Sequence, residues 1–351
     1  MSERSFYFKT ISGQLILLNL GVFVYMCLLD WSLFSPSPEV LIAFGAKDSV
    51  AIASGEWWRF FAANFVHFGI IHLAFNCFAL KIIGPQIEGF VGKFWFLIIY
   101  FFSGISAFIS SSYFNLPLSC GASGAIFGLI GVGVVIEMLY HYHFIKQKEE
   151  HEKPTTHRLK DFIRQRPYLS IALINILLAL VLNILAAQFL VPIRIDNGAH
   201  MGGLFSGAAF FYFIVVLKRK HSLLVHKLRG AIPFISICIM DLMVAYSLLY
   251  TPVIKDRYLE EAKYIKNPPL AYYYYSQVLT IDPRSSKARF ERGRLLFLNG
   301  EYKTAMVDFS FVLEDSARVD DFYRLIEELM ELKRTKDALF LQSTIEKNID
   351  A

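Results

Sequence analysis

The fold is decided by residues 94–136, which read FWFLIIYFFSGISAFISSSYFNLPLSCGASGAIFGLIGVGVVI. This stretch contains no Asp, Glu, Lys or Arg, and a helix needs only about 20 apolar residues to cross the hydrocarbon of a bilayer. The stretch is too long for one crossing, and a polar turn over 110–119 that contains Pro117 divides it. It therefore predicts two membrane helices, the second of which carries Ser123 close to one end.

The rest of the chain has the composition of a membrane protein. Of its 351 residues, 55% are apolar and only 19% are charged, which is unusual for a soluble domain. Other uncharged runs lie at 10–29, 60–80, 167–193 and 197–217. Together with a further, largely apolar segment at 231–254, they predict a polytopic membrane bundle of seven helices.

Basic residues indicate how these helices are oriented. They are concentrated in the loops at 141–167 and 218–230, and short loops rich in Lys and Arg remain cytoplasmic. We therefore expect a multi-pass protein of the cell membrane with a cytoplasmic N-terminus and, after seven spans, an extracytoplasmic C-terminus. Because this topology explains the net charge of +5, the charge gives no reason to expect nucleic acid binding.

Residues 255–351 have a different, soluble pattern rich in charge and tyrosine. Ala271, Ala305 and Ala338 recur at spacings of 34 and 33 residues, which is the period of tetratricopeptide repeats. The alternative is a helical hairpin of no particular repeat family. In either case we expect an all-α protein whose C-terminal domain offers a binding surface to a protein partner.

Three polar clusters lie within the apolar runs, where polar side chains are costly and therefore functional candidates. His72 and Asn76 are four residues apart and so share one helix face. Ser123 is surrounded by glycines, and His200 lies four residues after Asp196. At about 1.5 Å of rise per residue, all three clusters reach the same depth below the outer surface.

Glycines allow the serine and the histidine to approach each other. Gly121 and Gly124 accompany Ser123, and Gly203 and Gly207 follow His200, so the two helix backbones can pack closely. A serine hydroxyl is a poor nucleophile until a base takes its proton, and His200 is the candidate base. His72, Asn76 and the Ser123 backbone N–H are the candidate donors to an oxyanion.

Over residues 1–230 the chain resembles the rhomboid intramembrane proteases. The motifs that carry this resemblance are, in chain order, Trp58-Arg59, then His67, His72 and Asn76, then Gly121-Ala122-Ser123-Gly124, and finally Ala199-His200 with Gly203 and Gly207. Each motif is weak alone, but the ordered set is highly specific. Glu88 also lies twelve residues after Asn76, where that family has a structural glutamate.

The resemblance implies a six-helix core over 1–230, with 231–254 as an added seventh span and 255–351 outside the membrane. It implies a Ser123–His200 dyad without a third acid, no cofactor, no metal, and membrane-anchored proteins as substrates. Structural support is expected from Trp58, Arg59, His67, Glu88, Asn197, Gly121, Gly124, Gly203 and Gly207. One departure from the family is Phe127, where a tyrosine often stacks on the catalytic histidine.

Other interpretations stay open at this point. Ser123 could be a small residue at a helix crossing, and Trp58 with Arg59 could be an interfacial anchor. Asp196 could complete a triad with His200, and Asp241 has no obvious partner. The main alternative function is a rhomboid-like pseudoenzyme that binds membrane proteins as an adaptor without cutting them.

Overall fold

The computed structural model describes residues 9–32, 34, 36–53, 55–113, 118–148, 166–188, 195–218, 224–248, 255–256, 258–259, 262–263, 268–313 and 318–349. The chain separates into two compact units, Met1–Leu249 and Tyr250–Ala351. We call them the membrane unit and the C-terminal unit.

In the described part of the membrane unit, the regular structure is helical apart from one two-stranded bridge. Its elements are α1 (Ile11–Leu29), α2 (Pro38–Ala43), β1 (Lys47–Asp48), α3 (Ser49–Ala53), α4 (Arg59–Ala62), α5 (Ile70–Val91), α6 (Lys93–Tyr113), β2 (Leu118–Ser119), α7 (Ser123–Lys148), α8 (Pro167–Gln188), α9 (Asn197–Leu217) and α10 (Leu224–Leu248).

Among the residues that the structure describes, five helices are long and apolar enough to cross a membrane, namely α1, α5, α6, α7 and α9. Within the described side chains, α8 and α10 contribute shorter apolar stretches, Pro167–Val181 and Gly230–Val244. The count of seven spans therefore stays a prediction. Helix α6 continues to Tyr113, so its end lies beyond Ser110, where the sequence had suggested that the turn begins.

Helix α7 lies at the centre of the membrane unit and contacts α5, α6, α8 and α9. Its contact with α9 is made by backbone. A Cβ atom at Gly203 would overlap the carbonyl oxygen of Gly124, and one at Gly207 would overlap that of Gly128. Small residues permit this approach, which is a common way for helices to associate in lipid.

The described residues between α1 and α5 form a loop with short helices, which we call the α1–α5 loop (residues 30–69). Strand β1 pairs antiparallel with β2, with Lys47 opposite Ser119, so the loop is hydrogen-bonded to the segment that precedes Ser123. Inside the loop, the Arg59 Nη1 group donates to the carbonyl oxygens of Ile42 at 2.6 Å and Ala46 at 3.1 Å. One buried guanidinium thus holds the loop together.

The C-terminal unit contains α11 (Pro268–Ile281), α12 (Ser286–Leu298), α13 (Tyr302–Leu313), α14 (Val319–Glu331) and α15 (Thr335–Ile349). Consecutive helices pack together, α11 with α12, α12 with α13 and α14 with α15. Buried rings of Phe290, Phe297, Phe309 and Phe322 fill the space between them. That this unit is a tetratricopeptide-repeat domain stays a prediction.

Candidate active site

The serine and the histidine singled out in the sequence lie in contact. Ser123 is the first residue of α7, and His200 lies in the first turn of α9. The His200 Nε2 atom is 3.1 Å from the Ser123 Oγ atom, within hydrogen-bonding distance. Both residues are partly exposed.

Phe127 orients the imidazole. It lies one turn after Ser123 on α7, and its ring is stacked on His200 with the centroids 4.3 Å apart and the planes 12° from parallel. Stacking needs only the ring, so the phenylalanine provides this contact without a hydroxyl. The contact with Phe127 restricts the rotation that would carry the Nε2 atom of His200 away from Ser123.

His72 and Asn76 lie on the first turns of α5, beside the loop that leads into Ser123. Gly121 in that loop has φ of +123°, and a Cβ atom there would be 2.5 Å from His72 Cε1 and 3.6 Å from Asn76 Nδ2. Any side chain would be excluded at this close approach. The Asn76 Nδ2 group donates one hydrogen to the His72 carbonyl oxygen at 3.0 Å, which leaves its second hydrogen for another acceptor.

His67 connects the α1–α5 loop to residues 118–122, which precede Ser123 and which we call the serine loop. Its Nδ1 atom is 3.2 Å from the Phe65 carbonyl oxygen, and the Ala122 N–H points at its Nε2 atom at 3.4 Å. These partners require a neutral ring that donates from Nδ1 and accepts at Nε2. Burial, with a smaller contribution from His72, lowers the pKa of His67 to about 3, which agrees with that neutral tautomer.

Trp58 and Glu88, two further residues predicted to give structural support, have defined contacts. Trp58 packs against Gly45 and against the Arg59 guanidinium. Glu88 accepts hydrogen bonds from the Ile11 and Ser12 N–H groups. Since it is twelve residues beyond Asn76 on α5, it lies about 18 Å along the helix and joins α5 to α1 far from the dyad.

Comparison with known proteins gives one family. The rhomboid domain matches residues 54–217. The rhomboid protease AarA of Providencia stuartii is 30% identical over 267 residues, which are 72% of this chain and 86% of AarA. The chain belongs to the rhomboid family. The rhomboid protease GluP of Bacillus subtilis is 36% identical over 173 residues, which are 49% of this chain but only 29% of GluP.

Within this rhomboid domain, Asp196 has a role that the sequence left open. Its Oδ1 atom accepts the Ala199 N–H at 2.8 Å and caps α9, and its Oδ2 atom accepts the Ser119 hydroxyl at 2.6 Å. The buried Nδ1 atom of His200 has no hydrogen-bond partner among the described residues. The geometry therefore gives a serine–histidine pair, with Asp196 acting as a helix cap.

Sequence reasoning missed the residues that hold the rhomboid serine loop in place. Ser119 was not singled out, although it pairs with β1 and bonds Asp196. The Gly121 N–H also donates to the Ala63 carbonyl oxygen at 2.8 Å. Neither contact has a sequence signature, because backbone pairing between two irregular loops depends on the tertiary fold.

Metal binding has no evident site in the described parts of the chain, where no group of three or more His, Cys, Asp or Glu side chains could hold an ion. Asn197, in the first turn of α9, has a buried Oδ1 atom without a hydrogen-bond partner among those residues. Its predicted supporting role therefore has no visible contact.

Proposed function

We propose that this rhomboid protein is an intramembrane serine endopeptidase that hydrolyses peptide bonds of membrane-anchored proteins. The observation that carries the proposal is the 3.1 Å approach of His200 Nε2 to Ser123 Oγ. Two further facts support it: the rhomboid domain includes both residues, and relatives that share this domain are named rhomboid proteases.

The reaction follows from the chemistry of the pair. The Ser123 hydroxyl attacks the carbonyl carbon of the scissile peptide while His200 Nε2 accepts its proton. The resulting imidazolium then gives that proton to the departing amine, which leaves an acyl ester on Ser123. A water molecule, deprotonated by the same histidine, attacks the ester and releases the second product.

The negative charge that develops on the carbonyl oxygen needs donors. Ser123 is the first residue of α7, and the first N–H groups of a helix have no intrahelical acceptor. The free amide hydrogen of Asn76 and the ring of His72 lie against the same loop, next to Gly121. We assign these groups to the oxyanion site, where each donor typically contributes about 100- to 1000-fold in rate.

The location of the chemistry is part of the proposal. The basic loops predict that α7 begins and α9 begins at the outer side of the membrane, so cleavage would occur near the outer surface. The domain boundaries at 230 and 254, the seventh span and the extracytoplasmic C-terminus belong to this proposal. A C-terminal tag digested by protease outside intact cells would support the topology, and a protected tag would contradict it.

We assign the C-terminal unit to substrate or partner binding, as a tetratricopeptide-like domain. The spacing of its alanines supports this assignment, and so do its paired helices. Deleting residues 255–351 should spare cleavage of a generic reporter while changing the choice among natural membrane proteins. Equal loss of cleavage on every substrate would contradict a role in selection.

The proposal is tested by cleavage of a single-span reporter by purified full-length protein in liposomes. The parent protein should release the reporter's outer fragment, and Ser123→Ala and His200→Ala should not. Ser236→Ala is the matched control, because this serine also lies on a membrane-unit helix but is exposed. Folded parent protein that cleaves no member of a broad reporter panel would favour the adaptor alternative.

A further inference from the structure

Asp241 is a buried carboxyl group in α10 that the proposed mechanism does not use. It is 8% exposed, on a largely apolar helix, where an unpaired carboxylate is costly. The sequence offered no partner for it, but the structure does. The Ser106 hydroxyl of α6 donates to the Asp241 Oδ2 atom at 2.6 Å.

The turn of α6 that contains Ser106 packs against both helices of the dyad. On one side, Ala107 packs against Gly124, which follows Ser123. On the other side, Ser110 and the Ser106 carbonyl oxygen pack against Gly202, two residues after His200. In both places a Cβ atom on the glycine would overlap α6, so this turn is in close contact with both helices beside the dyad.

Helix α10 is joined to this turn by apolar contacts as well. Val244, one turn after Asp241, packs in a buried cluster with Phe108 and Ile109 of α6 and with Phe60 and Ala63 of the α1–α5 loop. The Ala63 carbonyl oxygen in turn accepts the Gly121 N–H of the serine loop. Contacts therefore run from α10 to both sides of the dyad.

We propose that Asp241 is a positioning residue for the dyad, acting through Ser106. Its carboxyl group holds the 106–110 turn of α6 at the position where Ser123 and His200 meet, and this makes α10 part of the catalytic scaffold. The inference rests on the proposed protease function. It assigns no contact between Asp241 and substrate.

The test compares four variants of the full-length protein in the liposome assay, with rates normalised to the folded fraction. Asp241→Ala removes the acceptor, Ser106→Ala removes the donor, and the double variant removes both. Asp241→Asn retains an oxygen that accepts the Ser106 hydroxyl. Leu242→Ala is the control, because Leu242 is next to Asp241 in the chain and is 70% exposed.

Asp241→Ala and Ser106→Ala should each lower kcat by about 10- to 100-fold, the loss expected from a small displacement of reacting groups. KM should stay within about twofold, and the double variant should be no slower than the slower single variant. Asp241→Asn should retain most of the parent kcat. This rescue would not occur if the position required only a negative charge.

An Asp241→Ala variant with the parent kcat would overturn the inference, as would an Asp241→Asn variant as slow as Asp241→Ala. If Asp241→Ala does not fold, Ser106→Ala decides alone, because it leaves the carboxyl group in place. Failure of the proposed function has a different signature. In that case the parent protein would cleave no faster than Ser123→Ala.

Discussion

In the membrane unit, α7 and α9 pack backbone against backbone, whereas the helices of the C-terminal unit pack through large aromatic rings. Gly203 and Gly207 lie directly against carbonyl groups of α7. In the C-terminal unit, Phe297 and Phe309 are fully buried. Their rings lie between the helices that pack together. Both units are helical, yet their glycines and phenylalanines have different uses.

The difference is what the proposed surroundings predict, which are lipid for the membrane unit and water for the C-terminal unit. Lipid is as apolar as a leucine side chain, so burying apolar surface gives membrane helices little reason to associate, and close packing takes its place. In water, burial of aromatic surface is the main favourable contribution. Close packing in the membrane unit also has a chemical use, since it brings a hydroxyl to within 3.1 Å of an imidazole.

The largest expected effect is that of Gly203→Val, which breaks the backbone contact directly. The added side chain would overlap the Gly124 carbonyl oxygen, separate α7 from α9 and remove the base from the serine. Reporter cleavage should fall by about 10⁴-fold or more, as when a catalytic group is removed. Gly21→Val is the control, because nothing lies within 4 Å of a Cβ atom there, and it should cleave normally.

The Phe309→Ala variant disrupts the packing of the C-terminal unit. Removing this fully buried ring should destabilise that unit by about 3–5 kcal/mol, measured by hydrogen exchange of α12 to α15 in the full chain. Cleavage of a generic reporter should change less than about twofold. The control is Val307→Ala, at a side chain that is 66% exposed. It should change neither the stability of the unit nor the cleavage of the reporter. Loss of cleavage in Phe309→Ala would contradict the separation of roles.

The Asn76→Ala variant tests whether this buried polar side chain of the membrane unit contributes to catalysis or to packing. Loss of an oxyanion donor should lower kcat by about 100- to 1000-fold while the protein keeps its thermal stability. Gln86→Ala removes an exposed amide from the same helix and should have little effect. If a loss of thermal stability accounts for the whole decrease in the kcat of Asn76→Ala, the residue contributes to packing instead.

The smallest effect is expected at Phe127, the aromatic ring of the membrane unit that stacks on the imidazole. Phe127→Ala should lower kcat by about 3- to 10-fold, the size of a typical aromatic contact. Phe127→Tyr retains the ring, so its kcat should lie within about twofold of the parent. An equal loss in both variants would show that stacking is not what this position provides.

Much of the fold could be predicted from the sequence, because lipid imposes simple requirements. Uncharged runs identified α1, α5, α6, α7 and α9, and these helices are long and apolar enough to span a membrane. The family motifs and their order identified the rhomboid family, which the comparisons confirm. The glycines beside Ser123 and His200 indicated the close helix pair, since few other residues allow it.

The sequence could not reveal contacts between segments that have no periodic pattern. The β1–β2 bridge, the Ser119–Asp196 hydrogen bond and the Ser106–Asp241 hydrogen bond each join residues far apart in the chain. Their formation depends on where the loops and helices lie after folding. The capping role of Asp196 was also hidden, because four-residue spacing to His200 fits a triad as well as a cap.

The central claim is that His200 activates Ser123 in the folded membrane unit, and covalent labelling with a fluorophosphonate tests it most directly. Mass spectrometry of the labelled parent protein should find the phosphonyl group on Ser123, with no label in Ser123→Ala and very slow labelling in folded His200→Ala. Parent protein that stays unlabelled, or that labels at Ser123 equally fast without His200, would contradict the account.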